Sequence, residues 1–199
     1  NKLVGKKVSI VSHKVQTTRF CIRGICTHTF DNLSKSQIIL IDTPGIFPAK
    51  RRLDKAMVSA AWSELKHSDK VIFIHDVTKS FENNSLDVIN QIFKIKTDVI
   101  LVLNKIDLLP KDKLLKKIQH IQSLYDFAKV FLVSALNGSG CNELIEYLAD
   151  SMPIHPFMYD NNTISDLPLS ILASEITREK LFKNLNKELP YNLMVETEK

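Results

Sequence analysis

The chain has 199 residues, 44% of them hydrophobic, and a formal net charge of +5. That is enough for one sizeable core or a core with a small appendage, and no apolar run approaches the ~18 residues needed to span a bilayer. Its 3 cysteines form no CxxC pair and cannot all pair with one another, which fits a reduced cytosol and ordinary thiols; with 6 histidines they show no zinc spacing. Asn1 to Lys7 has no signal-peptide core. The positive charge is compatible with nucleic acid but common among soluble proteins.

In chain order, Phe20 to Thr29 reads as a strand, with Gln37 to Ile41 as its hairpin partner across a polar turn at Asp31-Asn32. Leu53 to Lys66 reads as a helix, because Leu53, Ala56, Met57, Ala60, Ala61 and Leu65 recur at three- and four-residue steps; Trp62 sits off that stripe. Val71 to Ile74 is a strand and Ser85 to Phe93 a helix with Leu86, Ile89 and Phe93 inward. Val99 to Leu103 is a strand, Lys113 to Leu124 a helix carrying Leu114, Ile118 and Ile121, Val130 to Val133 a strand, and Asn142 to Leu148 a short helix. This βαβα rhythm predicts an α/β fold, a mostly parallel sheet covered by helices on both faces.

After Ala149 the composition changes. Residues 151–165 hold two prolines and no clear period, so they read as a linker. A helix follows, with Asp166 as cap and Pro168 in its first turn. Ile171, Leu181, Phe182 and Leu185 share one of its faces, and Glu175, Arg178, Glu179 and Lys180 supply charge. Residues 189–199 read as a strand. One helix and one strand bury too little to fold alone, so this second domain is expected to be cut short.

Three strand ends carry polar loops: Asp42-Thr43-Pro44-Gly45, Asn104-Lys105-Ile106-Asp107 and Ser134-Ala135-Leu136. All three are expected on one edge of the parallel sheet, where such folds bind nucleotides. Asp42 suits a metal-facing carboxylate, and its loop suits phosphate. The second loop suits guanine. A carboxylate can accept two hydrogen bonds at once, from the ring N1–H and the exocyclic amino group. Adenine offers neither donor there, and an unpaired buried carboxylate costs roughly 1–3 kcal/mol or more. Asn104 can bridge the base and neighbouring loops, the alkyl stem of Lys105 can cover a base face, and an N–H of the 134–136 loop can meet the guanine oxygen. His75-Asp76 follows a strand without a nucleophile motif, so it reads as structural.

With these residues in place, the chain resembles the Era family of ribosome-assembly GTPases, which carry a C-terminal KH domain. "VSIVSHKVQTTR" resembles the family's switch-one stretch, "IDTPGIF" its third guanine-nucleotide motif, "NKID" its fourth and "VSAL" its fifth. "ASEITREKLFKNLNKELPY" resembles the opening helix of its KH domain. The resemblance implies a P-loop NTPase-type G domain over 1–150, a linker over 151–165 and the beginning of an α+β KH domain over 166–199. It implies that Thr18, with Thr17 as the alternative, coordinates Mg²⁺ and senses the γ-phosphate of GTP. Asp42 would hold Mg²⁺ through water, with Thr43 and Pro44 in the same loop, and the Gly45 N–H would contact the γ-phosphate. Asn104, Lys105 and Asp107 would read guanine in GTP or GDP, with Ser134 and Ala135 closing over it. Lys50, Arg51 and Arg52 fit switch two. The partners implied are the 3′ end of small-subunit (16S) ribosomal RNA and the 30S subunit, with no DNA. A cytoplasmic monomer is implied, with peripheral association at the inner membrane face as an option.

Two family features are missing from the string. No GxxxxGK[ST] occurs, so the first strand, phosphate loop and most of the next helix are expected upstream of Asn1. Gly138-Ser139-Gly140 reads as a short turn. No GxxG follows Glu188, although a KH domain grips single-stranded RNA with one. Arg178, Lys180, Lys183 and Lys187 are basic enough to touch phosphates, but a solvated helix face is the expectation for them. Ile46 stands where many GTPases place a glutamine that orients water. Hydrolysis is therefore expected to depend on backbone groups, a monovalent cation or a partner, and to be slow unaided. The competing reading is a non-catalytic RNA-binding assembly factor without a phosphate loop. A third is a related GTPase without a KH domain.

Overall fold

The computed structural model describes residues 1–12, 18–46, 52–81, 84–96, 98–185 and 195–198. Thr17, Lys50, Arg51, Lys187 and most of the strand expected over 189–199 lie outside them; residues 195–198 form no strand. The chain divides into two compact units, Leu3–Glu64 with Ile154–Lys199, and Leu65–Pro153.

In the first unit, β1 (Ile22–Thr29) and β2 (Lys35–Asp42) form an antiparallel hairpin, in register from Ile22 opposite Asp42 to Thr29 opposite Lys35. The turn forms where the polar residues predict. Asn32 Oδ1 accepts from the Ser34 N–H (3.0 Å) and hydroxyl (2.6 Å), the local side-chain bonding that makes asparagine a turn residue. The stretch after residue 151 has no regular element until α5 (Leu169–Asn184), yet it is fastened to the hairpin. Gln37 Oε1 accepts from the Met158 and Tyr159 N–H groups, and its amide donates to the Tyr159 carbonyl. The Ile25 N–H donates to the Ile164 carbonyl at 2.9 Å.

Helix α5 corrects one expectation. Its buried positions are Glu175, Arg178, Glu179 and Phe182, a three–four spacing that faces inward, while Ile171 is exposed. Arg178 is 2% exposed and grips Glu175 through Nε (2.8 Å) and Nη2 (2.5 Å). Its guanidinium lies 5.0 Å from the Phe182 ring centre. Charge is buried here because it is paired and hydrogen-bonded one helical turn away. Arg178 therefore does not belong to a solvated, phosphate-facing side of the helix. Helix α1 (Arg52–His67) departs similarly: Asp54, Met57 and Ala61 are buried, while Leu53 and Ala56, expected inward, are exposed.

In the second unit, β3 (Val71–Asp76), β4 (Val99–Asn104) and β5 (Lys129–Val133) form a parallel sheet in that order. Residues Val99 to Leu103 are all buried, so both faces of the central strand are covered, as a near-continuous apolar run predicts. Helix α2 (Asn84–Phe93) buries Ile89 and Ile92, α3 (Lys111–Leu124) buries Leu114 and Ile121, and α4 (Cys141–Ser151) buries Leu144 and Leu148. Phe93 stacks on Tyr125 at 5.4 Å, and Phe81 meets His75 edge-on at 4.9 Å. Among the described pairings β2 is not a member of this sheet. The aspartate loop thus ends a strand of an antiparallel hairpin rather than a parallel strand: the described ladder of β2 is with β1, which precedes it across a tight polar turn that reverses the chain. No described helix is long and apolar enough to cross a membrane.

Candidate functional site

Asp42 is the last residue of β2, and the chain leaves the hairpin there through Thr43, buried Pro44 and exposed Gly45. Proline cannot continue a ladder, so the strand must stop. Thr18 Oγ1 lies 3.5 Å from Asp42 Oδ2. The structure thus brings together two residues expected at one metal from positions far apart in sequence. Both offer hard oxygen atoms, the donor type magnesium prefers. Surrounding protein pushes the Asp42 carboxyl above its usual range although the residue as a whole is exposed; hydrogen bonds from Ser9 and Thr18 oppose that. Ser9 was not a predicted site residue. Its place in the segment leading to Thr18 was the available signal. Ile46 is half-buried and has no side-chain group that could orient water.

In the second unit, the ends of β4 and β5 converge on one side chain. Asn104 Oδ1 accepts the Lys105 N–H at 2.8 Å and the Ala135 N–H at 3.0 Å. One amide oxygen therefore ties the two loops, the bridging role its position predicts. Lys105 adopts the left-handed conformation, φ 66°, uncommon for a residue with a Cβ. Asp107 sits in the 3₁₀ turn Ile106–Leu108, exposed, and its carboxylate has no hydrogen bond or ion pair to any described residue. Ser134 is fully buried; its N–H donates to the Ser139 carbonyl and its carbonyl accepts from Gly138. Gly140 closes this loop at φ +72°, where a Cβ would sit 1.9 Å from the Leu132 carbonyl oxygen. The glycine pair is thus the turn the sequence predicts, with Gly140 leading into α4.

Asp76, read as structural, faces this loop. It pairs with Asn104 in the parallel register, and its Oδ2 lies 2.7 Å from Lys105 Nζ. Its Oδ1 accepts from the Thr78 N–H (3.0 Å) and hydroxyl (2.7 Å). Partial burial would raise this carboxyl's pKa, but the hydrogen bonds from Lys105 and Thr78 outweigh it and hold the value at about 2. The overlooked signal was that Asp76 ends a strand neighbouring β4. His75 does fit the structural reading: it is buried, Nε2 lies 3.4 Å from the Lys79 carbonyl, and burial lowers its pKa.

The chain as a whole is similar to known proteins. A family model described as "50S ribosome-binding GTPase" matches residues 1–105. The GTPase Era of Brucella suis is 47% identical over all 199 residues, and that of Mesorhizobium japonicum 46%. The chain spans 62% and 63% of those relatives' lengths. The crystal structure of a single-residue variant of Aquifex aeolicus Era bound to GDP.AlF4⁻ superposes with a TM-score of 0.88 at 33% identity, covering 96% of this chain and 64% of that one. An Era complex with MgGDPNP and nucleotides 1506–1542 of 16S ribosomal RNA gives the same TM-score and coverage. The α/β architecture read from the sequence is that of these P-loop GTPases. With the family model over more than half of its residues and close relatives along its whole length, the chain belongs to the Era family of GTPases.

Proposed function

We propose that this chain is the guanine-reading and RNA-coupled part of a GTPase that binds 16S ribosomal RNA and assists assembly of the 30S subunit. One observation carries the reading: Asn104 fastens the Asn104–Asp107 and Ser134–Leu136 loops together while the Asp107 carboxylate stays unpartnered among the described residues. An open carboxylate beside a rigid loop can accept the guanine N1–H and amino group together. With the Ser134 and Ala135 N–H groups engaged, the Leu136 N–H is the unengaged donor of that loop among the described residues. It is the candidate for the guanine oxygen.

Thr18 and Asp42 fit Mg²⁺ by their oxygen donors, Asp42 through water. Bound there, the ion would neutralise charge on the β- and γ-phosphates. The Gly45 N–H, in the exposed residue that follows Pro44, would meet a γ-phosphate, with Thr43 and Pro44 shaping its approach. Ordering of Thr18 and Gly45 around GTP, and their release on hydrolysis, makes the switch. Ile46 leaves water orientation to backbone groups, a monovalent cation or a partner. The domain reading is a G domain over 1–150, a connecting segment over 151–165 and the first part of a KH domain from 166. The protein would act as a cytoplasmic monomer, with any membrane contact peripheral. The relatives' identity as GTPases favours this over a non-catalytic assembly factor.

The test is titration of fluorescent GDP into the complete protein that carries this chain. GTP is expected to displace it and ATP is not. Equal displacement by ATP, or no binding, would refute the reading. Retention of an RNA oligonucleotide with the 16S 3′-end sequence tests the RNA part.

A further inference from the structure

We propose that Asp76 is a positioning residue for guanine recognition: held by Thr78, it pairs with the Lys105 ammonium, keeping that group off Asp107 and its alkyl stem over the base. This rests on the guanine reading of the Asn104–Asp107 loop.

The geometry is built from several sides. Asp76 and Asn104 are neighbours across the parallel ladder, so the carboxylate starts beside the loop it serves. The Val77 N–H donates to the Asn104 carbonyl at 3.0 Å, locking the two strand ends together. Thr78 fixes one carboxylate oxygen through two hydrogen bonds and leaves the other for Lys105. Behind this loop the Lys117 ammonium of α3 donates to the Val77 and Lys79 carbonyls. A turn restrained this heavily has a task beyond connecting β3 to α2.

The task follows from charge. Lys105 and Asp107 are two residues apart, and a free ammonium there would compete for the carboxylate that must accept two hydrogen bonds from a base. Asp76 offers Lys105 a pre-arranged partner, a charge-assisted hydrogen bond stronger than a neutral one. Its side chain is only 18% exposed, so water screens this pair less than a fully exposed one. Asp107 accordingly remains without a partner among the described residues. The left-handed backbone at Lys105 then sets where the lysine stem leaves the loop, and the ion pair sets where its end lies.

The experiment is a double-mutant cycle in the complete protein, reading GDP affinity and dissociation rate for wild type, Asp76→Asn, Lys105→Ala and the double variant. Asp76→Asn is expected to weaken GDP binding about tenfold in the wild-type background and to change little in the Lys105→Ala background. Thr78→Val, which keeps the N–H donor and the side-chain shape, is expected to weaken it about threefold and guards against a misfolded Asp76 variant. An equal loss with and without Lys105, or no loss in either variant, would overturn the proposal. Failure of the wild type to bind GDP would instead refute the guanine reading on which it stands.

Discussion

Asn104 uses one oxygen to hold two backbone N–H groups, and this makes it the residue on which the proposed base site depends most. Asn104→Ala would leave the Lys105 and Ala135 N–H groups without their acceptor, each loss costing about 1 kcal/mol or more. The expected outcome is GDP binding weakened by roughly tenfold or more, with faster amide hydrogen exchange at Ala135; unchanged exchange there would mean the two loops do not depend on this side chain. Asp76 shows what sequence reading passes over. Its role lies in a hydrogen-bonded turn and a neighbour one strand away, neither of which a local motif displays. Asp42, Asn104 and Asp107 stand out in the sequence as candidates because a short apolar run ends in a polar loop at each. Ser9 and Asp76 lacked that contrast or were outweighed by a bland alternative.

At the scale of elements, α5 places its charge where an apolar stripe was expected. Glu179 is buried and accepts from Lys7, Lys183 and the Val11 N–H. Burial alone would raise its pKa; the bonds from Lys183, Lys7 and Val11 outweigh that and hold it at about 2, against an ordinary 4.5. A depressed carboxylate stabilises the fold fully above its unfolded pKa and loses that contribution as pH falls through the folded one. Stability should therefore decline from pH 4.5 to about 2, by about 2 kcal/mol from this group after allowance for its half-exposed lysines. Urea unfolding of Glu179→Gln at pH 7 and pH 3 checks this: the variant should lose stability at pH 7 and show a flatter acid decline. Gly140 is the second element-scale test. Its left-handed φ and the Leu132 carbonyl leave no room for a Cβ. Gly140→Ala is expected to cost about 3 kcal/mol, seen as a lowered midpoint in denaturant. The hairpin, the parallel strands and most helices were legible within a few residues, because period and turn chemistry act locally. The inward face of α5 was not. Hydrophobic patterning treats charge as surface, and it takes the pairings of Glu175 with Arg178 and of Glu179 with Lys7 and Lys183 to show that this charge can be buried. The same holds in α1 for buried Asp54 beside exposed Leu53.

For the whole molecule, the three loops expected on one edge of a parallel sheet are divided between the two compact units. Thr18 and Asp42 stand together in the first; Asn104, Lys105, Asp107, Ser134 and Ala135 stand together in the second. Binding that engages either cluster only in the folded state should raise the unfolding midpoint with ligand concentration. Function turns on whether the open Asp107 carboxylate reads guanine. The most direct measurement compares the affinity of the complete protein for GDP and for inosine diphosphate, which lacks the exocyclic amino group, in wild type and Asp107→Ala. Wild type is expected to favour GDP by about tenfold or more, and the variant to lose both this preference and about a hundredfold of its GDP affinity, on the order of 3 kcal/mol. A variant that binds GDP as tightly as wild type, with the same preference over inosine diphosphate, would contradict guanine reading by Asp107.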